Sequence, residues 1–459
     1  MKNNMQNIKI NNLLLEVDEK LDDLIKLHQS LIKIQSVNSG YMPTGNETEV
    51  VEFCSNWLKN FNIDSNVFSR DSKRGNLISK YPFSGDEKKL LLMSHSDVVP
   101  VENYDKWENE PFSAKLTKGR IWGRGSSDCK GLLASQMMAM SILAENKIQF
   151  KENFTLACGS DEEHGGRYGF GWLAENHPEE IRFKYAINEG GGSPVTIGKN
   201  LYYLLGTGEK GRLEITIKIK GESSHASVPW LGKNAMGPTA NAIQRILDYI
   251  PDLDCSTDIF NYLNLFGIET KPSVENLEII IKEAYEKNES LGSLLKSLSR
   301  MTITPTIING GVKSNSVPEN IQLVLDVRSL PNQNENDVKK QLDKILGNIE
   351  DLSYEIDYMA KPNSSPFETE LLEAIKKSQS KSVERDDIQW IPSISTGFTD
   401  SRFTRELGVI TYGFRGTHPD DNPNLENVHG TNENYGVKSL VSSTKTMLGI
   451  IWELCDPII

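Results

Sequence analysis

Three short apolar segments are each followed at once by histidine or acidic residues, and this arrangement constrains the fold most. The segments and the side chains that follow them are Leu90–Met93 with His95, Phe154–Cys158 with Glu162 and Glu163, and Tyr185–Ile187 with Glu189. Apolar runs of this length are typical of strands buried on both faces, and Gly131–Glu145 between them has the composition of a helix. Strands that alternate with helices predict an α/β sheet, in which sites form at the carboxyl ends of the strands.

The pattern changes near residue 209, where apolar and polar residues begin to alternate. Leu213, Ile215, Ile217 and Ile219 are separated by polar residues, and residues 321–327 repeat this period of two. Such alternation is typical of antiparallel strands with one face in water, and a helix over 234–250 lies between them. We therefore predict an α/β domain of residues 1–208 and 363–459, interrupted by an inserted α+β domain of residues 209–362. Residues 252–300 have charged, helix-like sequence without a predicted place.

The composition excludes several classes of function. The net charge of −13 and the isoelectric point near 5.2 argue against nucleic acid as a partner, because its phosphates would be repelled. No basic run predicts an anionic membrane surface, and no apolar run approaches the roughly 20 residues of a membrane span. The five cysteines are odd in number and form no CxxC pair, and MKNNMQNIKINN lacks the apolar stretch of a signal peptide. A cytoplasmic enzyme with reduced thiols is therefore expected.

Side chains with the chemistry of metal ligands recur where strands end or glycines turn the chain. In order they are His95, Asp128, Glu163, Glu189 and His429. A set of this kind suits two divalent metal ions bridged by one carboxylate. Glu162 stands beside one of these residues and has the chemistry of a general base. Together they predict a hydrolase that uses metal-activated water.

Two acidic residues are placed to support the histidines. Asp97 projects on the same side of an extended segment as His95, and a metal-bound imidazole usually has its second nitrogen held by a carboxylate. Glu433 in HGTNE offers the same support to His429. His418 in RGTHPDD is the rival ligand, and Glu433 is the reason to prefer His429.

Each motif alone also has a structural interpretation. His95 and Asp97 fit a loop histidine with a capping group, and Asp128 fits the N-cap of the helix that follows it. Adjacent acids are usually a solvated surface, and Glu189 before three glycines fits a turn. The hydrolase interpretation therefore depends on the order of all five ligand-type residues.

With these motifs the chain resembles the metallopeptidase superfamily of acetylornithine deacetylase, succinyl-diaminopimelate desuccinylase, aminoacylase, glutamate carboxypeptidase and bacterial dipeptidases. The likeness is nearly continuous over HSDVVPVENYDKWENEPFSAKLTKGRIWGRGSSDCKG, and it continues through SDEEHGG, NEGGG, SSHASVP, NSVPE, DVRSLP, TGFTDSR and HGTNE. It is weakest in residues 1–25 and 252–300. It implies a zinc-exopeptidase-like domain, with a mixed, mostly parallel sheet flanked by helices, and a lid domain with helices on one face of an antiparallel sheet.

The resemblance also implies which residues share each metal position. Asp128 would bridge two divalent ions, with zinc preferred and cobalt or manganese as alternatives. His95 and Glu189 would complete one position, and Glu163 and His429 the other.

The resemblance implies further roles around these ligands. Glu162 would be the general base, and Asp97 would orient the first histidine. The peptide bond after Asp128 would be cis. Cys129 departs from the Met or Asp that the family usually has there, and we expect its sulfur not to bind metal.

Within the lid domain, the resemblance implies three residues that act on the substrate. His225 in SSHAS would polarise the scissile carbonyl, and Asn315 and Arg328 would hold the substrate. Arginine suits a free carboxylate, which it grips with two hydrogen bonds. A salt bridge from Arg328 to Asp326 is the structural alternative.

The resemblance also implies a homodimer through the lid domain, because in dimeric relatives the histidine and the asparagine come from the partner subunit. The helix after Gly232 would lie at the interface, and a monomer with an enlarged lid is the rival. Thr399, Asp400 and Arg402 resemble a further loop beside the substrate.

These features predict a metal-dependent hydrolase that cleaves an amide bond in a small peptide or N-acyl amino acid with a free carboxylate. A carboxypeptidase or dipeptidase is preferred, and an N-acyl-amino-acid deacylase of the acetylornithine deacetylase or desuccinylase type is the alternative. A non-catalytic binding protein on the same scaffold is more remote, because it would be expected to lack Glu162 or a ligand.

Overall fold

The computed structural model describes residues 2–197 and 199–458. The chain divides into two compact units. The first comprises Met1–Thr207, Ser365–Ser393 and Thr399–Ile459, and the second comprises Gly208–Ser364 with Ile394–Phe398. Among the described residues, no helix combines the length and the apolar character needed to cross a membrane.

The described residues form helices α1–α13 and strands β1–β19, numbered in chain order. The helices are Lys2–Glu19, Leu21–Lys33, Glu47–Lys59, Gly131–Glu145, Phe170–Asn176, Pro178–Ile181, Met236–Asp248, Leu277–Lys287, Glu289–Leu298, Glu335–Leu346, Glu370–Val383, Ser401–Glu406 and Val437–Leu454. The strands are Ser65–Ser69, Gly75–Lys80, Lys88–His95, Lys115–Thr117, Arg120–Trp122, Gln149–Phe150, Asn153–Gly159, Tyr185–Asn188, Ser193–Ile197, Asn200–Glu209, Gly211–Lys220, Thr302–Gly310, Asn320–Ser329, Leu352–Ala360, Asn363–Ser364, Ile388–Ser395, Ile410–Gly413, Asn434–Gly436 and Pro457–Ile458.

The first unit is built on a mixed sheet whose central strands are parallel. Its strand order is β1-β2-β7-β3-β8-β17-β10. The strands from β7 to β17 run parallel to one another, whereas β1, β2 and β10 pair antiparallel at the margins. Leu90–Met93 of β3 and Phe154–Cys158 of β7 are buried, as the sequence predicted for strands covered on both faces. The predicted α/β class with a mixed, mostly parallel sheet is confirmed.

Parallel alignment brings the ends of the central strands to one edge of the sheet. His95 at the end of β3 pairs with Gly159 at the end of β7. Asn188 at the end of β8 pairs with Gly413 at the end of β17. The acidic segment after β7 and Glu189 after β8 therefore begin at the same edge as His95.

Buried helices pack behind this edge. α4 begins directly after the turn that carries Asp128, and its residues from Gly131 to Ala144 are all buried. α4 packs against α13, which also packs against α11. The C-terminal segment that carries His429 therefore belongs to the same unit as the N-terminal segment that carries His95.

The second unit contains an antiparallel sheet of strand order β12-β13-β11-β14. The alternating residues predicted to face inward along β11 are buried with residues of α7 and α10 in one apolar core. Residues 252–300 contribute α8 and α9 to this unit. The C-terminal end of this segment is bound to Lys210, whose Nζ donates hydrogen bonds to the carbonyls of Ser297 and Arg300 at 2.8 and 2.9 Å.

Candidate metal centre

The five ligand-type residues lie together, with the others arranged around the carboxylate of Asp128. His95 Nε2 lies 3.0 Å from Oδ1 of Asp128, and His429 Nε2 lies 3.0 Å from Oδ2. Glu189 Oε1 is 3.3 Å from His95 Nε2. Glu163 Oε2 is 3.0 Å from His429 Nε2. Each oxygen of Asp128 therefore faces a different histidine, and each histidine is accompanied by a different glutamate.

The charges of this cluster shift the pKa values of its members. Burial favours the neutral acid, but hydrogen bonds to His429 and His95 hold the pKa of Asp128 well below its usual range. Burial and the charge of Asp128 raise the pKa of Glu163 to about 8. Hydrogen bonds to Asp128 and Glu163 raise the pKa of His429 to about 10. In the protein alone, protons thus offset the negative charge that cations would offset.

Glu163→Gln is expected to stabilise the chelator-treated protein at pH 8 and to leave its stability unchanged near pH 5. The reason is that the folded-state pKa of Glu163 is raised from 4.5 to about 8. The stabilising proton is fully present below the unfolded-state pKa and is lost as the pH rises through the folded-state pKa. Glutamine stays neutral throughout. Thermal unfolding of both proteins in chelator at pH 5, 6.5 and 8 measures the difference in stability between the variant and the wild type. A difference that does not change with pH contradicts the raised pKa of Glu163.

The donor set fits two divalent cations. Imidazole nitrogens and carboxylate oxygens are ligands that zinc, cobalt and manganese accept. The ligating atoms of His95, Asp128 and Glu163 lie within 4.8 Å of one another. Glu163 Oε1 is buried and makes no hydrogen bond with the described residues, which is costly for a carboxylate. A cation held by this carboxylate would satisfy that oxygen.

Cys129 lies against the same cluster. One ligand-type atom from each of His95, Cys129 and Glu189 lies within 4.8 Å of the other two. The Cys129 sulfur accepts a hydrogen bond from the backbone N–H of His95 at 3.1 Å, and burial raises the pKa of this thiol. That the Cys129 sulfur does not bind metal stays a prediction, and its contact with the backbone of His95 shows that it packs against this ligand-type residue. The Asp128–Cys129 peptide bond is cis, as the resemblance implied.

Glu433 holds the turn that presents Asp128. Its oxygens accept hydrogen bonds from backbone N–H groups at 3.0–3.2 Å, those of Gly125, Ser127 and Asp128. Arg124 also donates to Glu433, at 2.7 Å. Among the described residues, Glu433 makes no hydrogen bond to the His429 ring, so the direct support predicted for it is not seen. Instead Arg124, which Glu433 holds, donates to the carbonyl of His429 at 3.2 Å. The rival ligand His418 does not join the cluster, and its Nδ1 lies 4.0 Å from Asp420 Oδ2.

Asp97 supports both a histidine and the acidic turn after β7. His95 Nδ1 lies 3.0 Å from the backbone oxygen of Asp97 and 3.4 Å from its carboxylate. The carboxylate accepts hydrogen bonds from the backbone N–H groups of Glu162 and Glu163, both at 3.1 Å. Asp97 therefore positions the candidate base and one candidate ligand as well as the imidazole, whereas the sequence predicted only contact with the imidazole.

A buried network that no motif singled out connects Asp97 with charged residues. Asn38 Nδ2 donates to Asp97 at 2.8 Å and to Asp161 at 3.1 Å. Arg74 donates to Glu47 at 2.7–2.9 Å and to Asp161 at 3.0 Å. Burial and the charge of Asp97 raise the pKa of Glu47 to about 7. One buried guanidinium thus offsets two buried carboxylates behind the acidic turn.

Arg74→Met is expected to lower the free energy of unfolding by about 3–5 kcal/mol, because it leaves Glu47 and Asp161 buried without a cation. Urea unfolding measures the loss. The control is Lys80→Met, which breaks an exposed pair with Asp86 at 3.3 Å and should cost at most about 1 kcal/mol. Equal losses in the two variants would show that the Arg74 network contributes no more than a surface pair.

Other carboxylates of the site act on Glu162. Burial and then the charge of Glu189 raise its pKa well above the usual range, and the charge of Asp400 adds to the shift. Asp400 is itself buried, and burial raises its pKa as well. A carboxylate with a raised pKa accepts a proton more readily at neutral pH, which suits a general base.

The loop that resembles a substrate-side loop packs on the same acidic turn. Arg402 Nη2 donates to the carbonyl of Gly165 at 2.7 Å, directly after the acidic segment. Asn188 Nδ2 donates to Thr399 Oγ1 at 3.3 Å. These contacts connect the loop to the ends of β7 and β8.

A cavity of about 310 Å³ opens beside Asp128 and Glu189. Its other lining residues are Gly190, Gly191, Ser193, Leu204, Ser393, Arg415 and Val428. Arg415 is held by Glu426, with Nη2 and Oε2 2.9 Å apart. A cavity of this volume and mixed lining fits a small molecule.

His225, Asn315 and Arg328 lie in the second unit. The backbone N–H of Ala226 donates to the carbonyl of Asn315 at 3.0 Å, so the first two residues lie on adjacent segments. His225 Nδ1 accepts a hydrogen bond from the backbone N–H of Ser227 at 3.2 Å. In the neutral ring the proton therefore sits on Nε2, which is the arrangement needed to donate to a carbonyl oxygen.

Comparison with known proteins gives consistent results. The model of Peptidase family M20/M25/M40 matches residues 91–453. An uncharacterized metallohydrolase of Methanocaldococcus jannaschii is 28% identical over 393 residues, which cover 80% of this chain and 86% of that protein. A probable succinyl-diaminopimelate desuccinylase of Staphylococcus epidermidis is 25% identical over 367 residues, which cover 79% of this chain and 82% of that protein. The crystal structure of an M20 family metallo-carboxypeptidase from Sulfolobus solfataricus superimposes with a TM-score of 0.70 and 20% identity, covering 94% of this chain and 98% of that one.

Proposed function

The chain belongs to peptidase family M20/M25/M40, a family of metal-dependent hydrolases, and on that premise we propose that it is a dinuclear amidohydrolase. Its substrate would be a small peptide or an N-acyl amino acid with a free carboxylate. One observation carries the proposal: the two oxygens of Asp128 lie 3.0 Å from two different histidines, each accompanied by its own glutamate. That arrangement suits two cations that share one carboxylate. Zinc is the preferred metal.

Bound at this cluster, two divalent cations would supply Lewis-acid activation of a water molecule and of the amide carbonyl. Glu162 would accept the proton of the attacking water and deliver it to the nitrogen of the leaving amine. His225 would donate its Nε2–H to the carbonyl oxygen as negative charge develops there. Arg328 would hold the free carboxylate of the leaving amino acid with the N–H groups that Asp326 and Thr396 leave unused.

A carboxypeptidase or dipeptidase is the preferred activity, supported by the fold shared with the Sulfolobus carboxypeptidase. A deacylase is the second candidate, favoured by the name of the Staphylococcus relative. Matched dipeptides and N-acyl amino acids, assayed with the metal-loaded protein, distinguish the two. Higher kcat/KM for the N-acyl series overturns the preferred activity.

We also propose a homodimer formed through the second unit. β12 is an edge strand, and edge strands with exposed apolar residues tend to pair with another chain. Ile307 and Ile308 of β12 are half exposed, as is Met236 of α7. Trp230 is 76% exposed just before that helix. Sedimentation velocity tests the dimer, and a monomer at micromolar concentration overturns it.

The experiment that tests the proposed function is metal analysis with activity measured before and after chelation. About two metal ions per chain are expected, with amide hydrolysis lost on chelation and restored by zinc or cobalt. A protein that binds no metal and hydrolyses no amide overturns the proposal and favours a binding protein on this scaffold.

We also propose that the enzyme is cytoplasmic, which the free state of all five cysteines supports. Reducing buffers should therefore not impair its activity.

A further inference from the structure

Two arginines of the second unit stand directly opposite each other on neighbouring strands. Arg212 of β11 pairs in register with Arg328 of β13. Like charges at directly opposed positions destabilise a sheet. One carboxylate, that of Asp326, lies between them and accepts hydrogen bonds from both. The pair therefore keeps one guanidinium charge more than the carboxylate can offset.

The two guanidinium groups differ in how many of their donors are used. Arg328 donates from Nε and Nη2 to Asp326 at 2.7 and 3.3 Å and from Nη1 to the carbonyl of Thr396 at 3.1 Å. Arg212 donates only from Nε, to Asp326 at 3.1 Å. Its terminal nitrogens make no hydrogen bond with the described residues, and its side chain is 32% exposed. Arg212 therefore presents the planar, paired donors that suit a carboxylate.

Charged residues of both signs surround this pair, because Glu214 of β11 is in register with Asp326 and with Asp357 of β14. Lys210 lies just before β11, and its pKa is lowered to about 7 by burial and then by the charges of Arg328 and Arg300. Arg300 pairs with Glu278 at 2.7 Å. The arginine charges are thus felt at Lys210, and an anion bound beside Arg328 would lessen that repulsion.

We propose that Arg212 binds a second carboxylate of the substrate, so that the leaving amino acid has an acidic side chain in addition to its free α-carboxylate. This inference rests on the proposed function, in which Arg328 holds the α-carboxylate. Asp326 keeps the two guanidinium planes apart and oriented, since both donate to it. The substrate class is then a peptide or N-acyl amino acid ending in aspartate, glutamate or a similar dicarboxylic residue.

The test uses the metal-loaded full chain and matched substrates that differ only in the second charge. Ala-Glu is compared with Ala-Gln, and N-acetyl-glutamate with N-acetyl-glutamine. The wild-type protein should prefer the glutamate member by about tenfold or more in kcat/KM. Arg212→Gln should abolish that preference and change kcat/KM for the glutamine member less than about threefold. Arg212→Lys should retain part of it, because lysine keeps the charge but not the paired donors.

The control variant is Lys218→Gln, on the same strand and paired with Glu355 at 2.6 Å, which should leave the preference unchanged. Equal kcat/KM for both members in the wild type, or equal losses for both in Arg212→Gln, overturns the inference. Absence of hydrolysis in every series overturns the proposed function instead. Calorimetric binding of free glutamate and glutamine then decides the role of Arg212 without turnover: a glutamate preference that Arg212→Gln removes supports it, and equal binding overturns it.

Discussion

Glu162→Gln is expected to lower kcat for amide hydrolysis by about 10²–10⁴-fold while the metal content stays at the wild-type value. Glu162 is next to Glu163 in sequence but is not among the four side chains grouped around Asp128. Its backbone N–H is fixed by Asp97 at 3.1 Å, so glutamine should occupy the same place. The substitution removes only the ability to take and return a proton.

The measurement is steady-state kinetics together with elemental analysis of the same samples. Glu175→Gln is the matched control, because Glu175 is an exposed acid of the same unit and should leave kcat unchanged. The wild-type rate should fall at low pH as Glu162 becomes protonated, and the variant should lack that limb of the profile. Unchanged turnover in Glu162→Gln would remove this residue from the mechanism.

The strands around the site could be predicted because their signal is local. Leu90–Met93 and Phe154–Cys158 lie within β3 and β7, and α4 has the predicted bounds Gly131–Glu145. Alternation in Leu213–Ile219 likewise identifies a strand with one buried face, since it depends only on neighbouring residues. The order of the ligand-type residues follows from where these strands end.

Helices outside the sheets were harder to predict because amphipathic periodicity does not say what a helix packs against. The N-terminal segment forms two helices, α1 and α2, with Lys20 between them. α1 begins at Lys2. Its buried residues Ile10, Leu13 and Val17 have helical spacing, but this pattern is recognised as a helix only once their burial is known. For α8 and α9, too, the sequence indicates helices but not what they pack against.

The supporting residues of the site could not be predicted because they are distant in sequence. Glu433 meets the Asp128 turn although more than 300 residues separate them. Asn38, Arg74 and Glu47 belong to no motif, and only folding brings them behind Asp97. The motif HGTNE suggested His429 as a local partner for Glu433, whereas in the fold Glu433 accepts a hydrogen bond from the distant Ser127.

Asp128→Ala is expected to remove both metal ions and to lower kcat/KM by more than the roughly 10²–10⁴-fold expected for the base variant. The reason is that Asp128 is the only residue of the cluster whose two oxygens face both histidines, at 3.0 Å each. Its loss takes one ligand from each position at once. Glu189→Gln takes a ligand only from the position of His95, and that variant should retain about one metal ion per chain.

Elemental analysis after dialysis gives the metal content, and the absorption spectrum of the cobalt-loaded protein gives an independent count of occupied positions. Asp105→Asn is the control, because Asp105 is an exposed acid that should not change either value. If Asp128→Ala keeps two ions, the carboxylate does not bridge. If Asp128→Ala keeps one ion, as Glu189→Gln should, Asp128 is a ligand at one position only. The 3.0 Å contact between His429 and Asp128 is then a hydrogen bond that no shared metal replaces in the loaded enzyme.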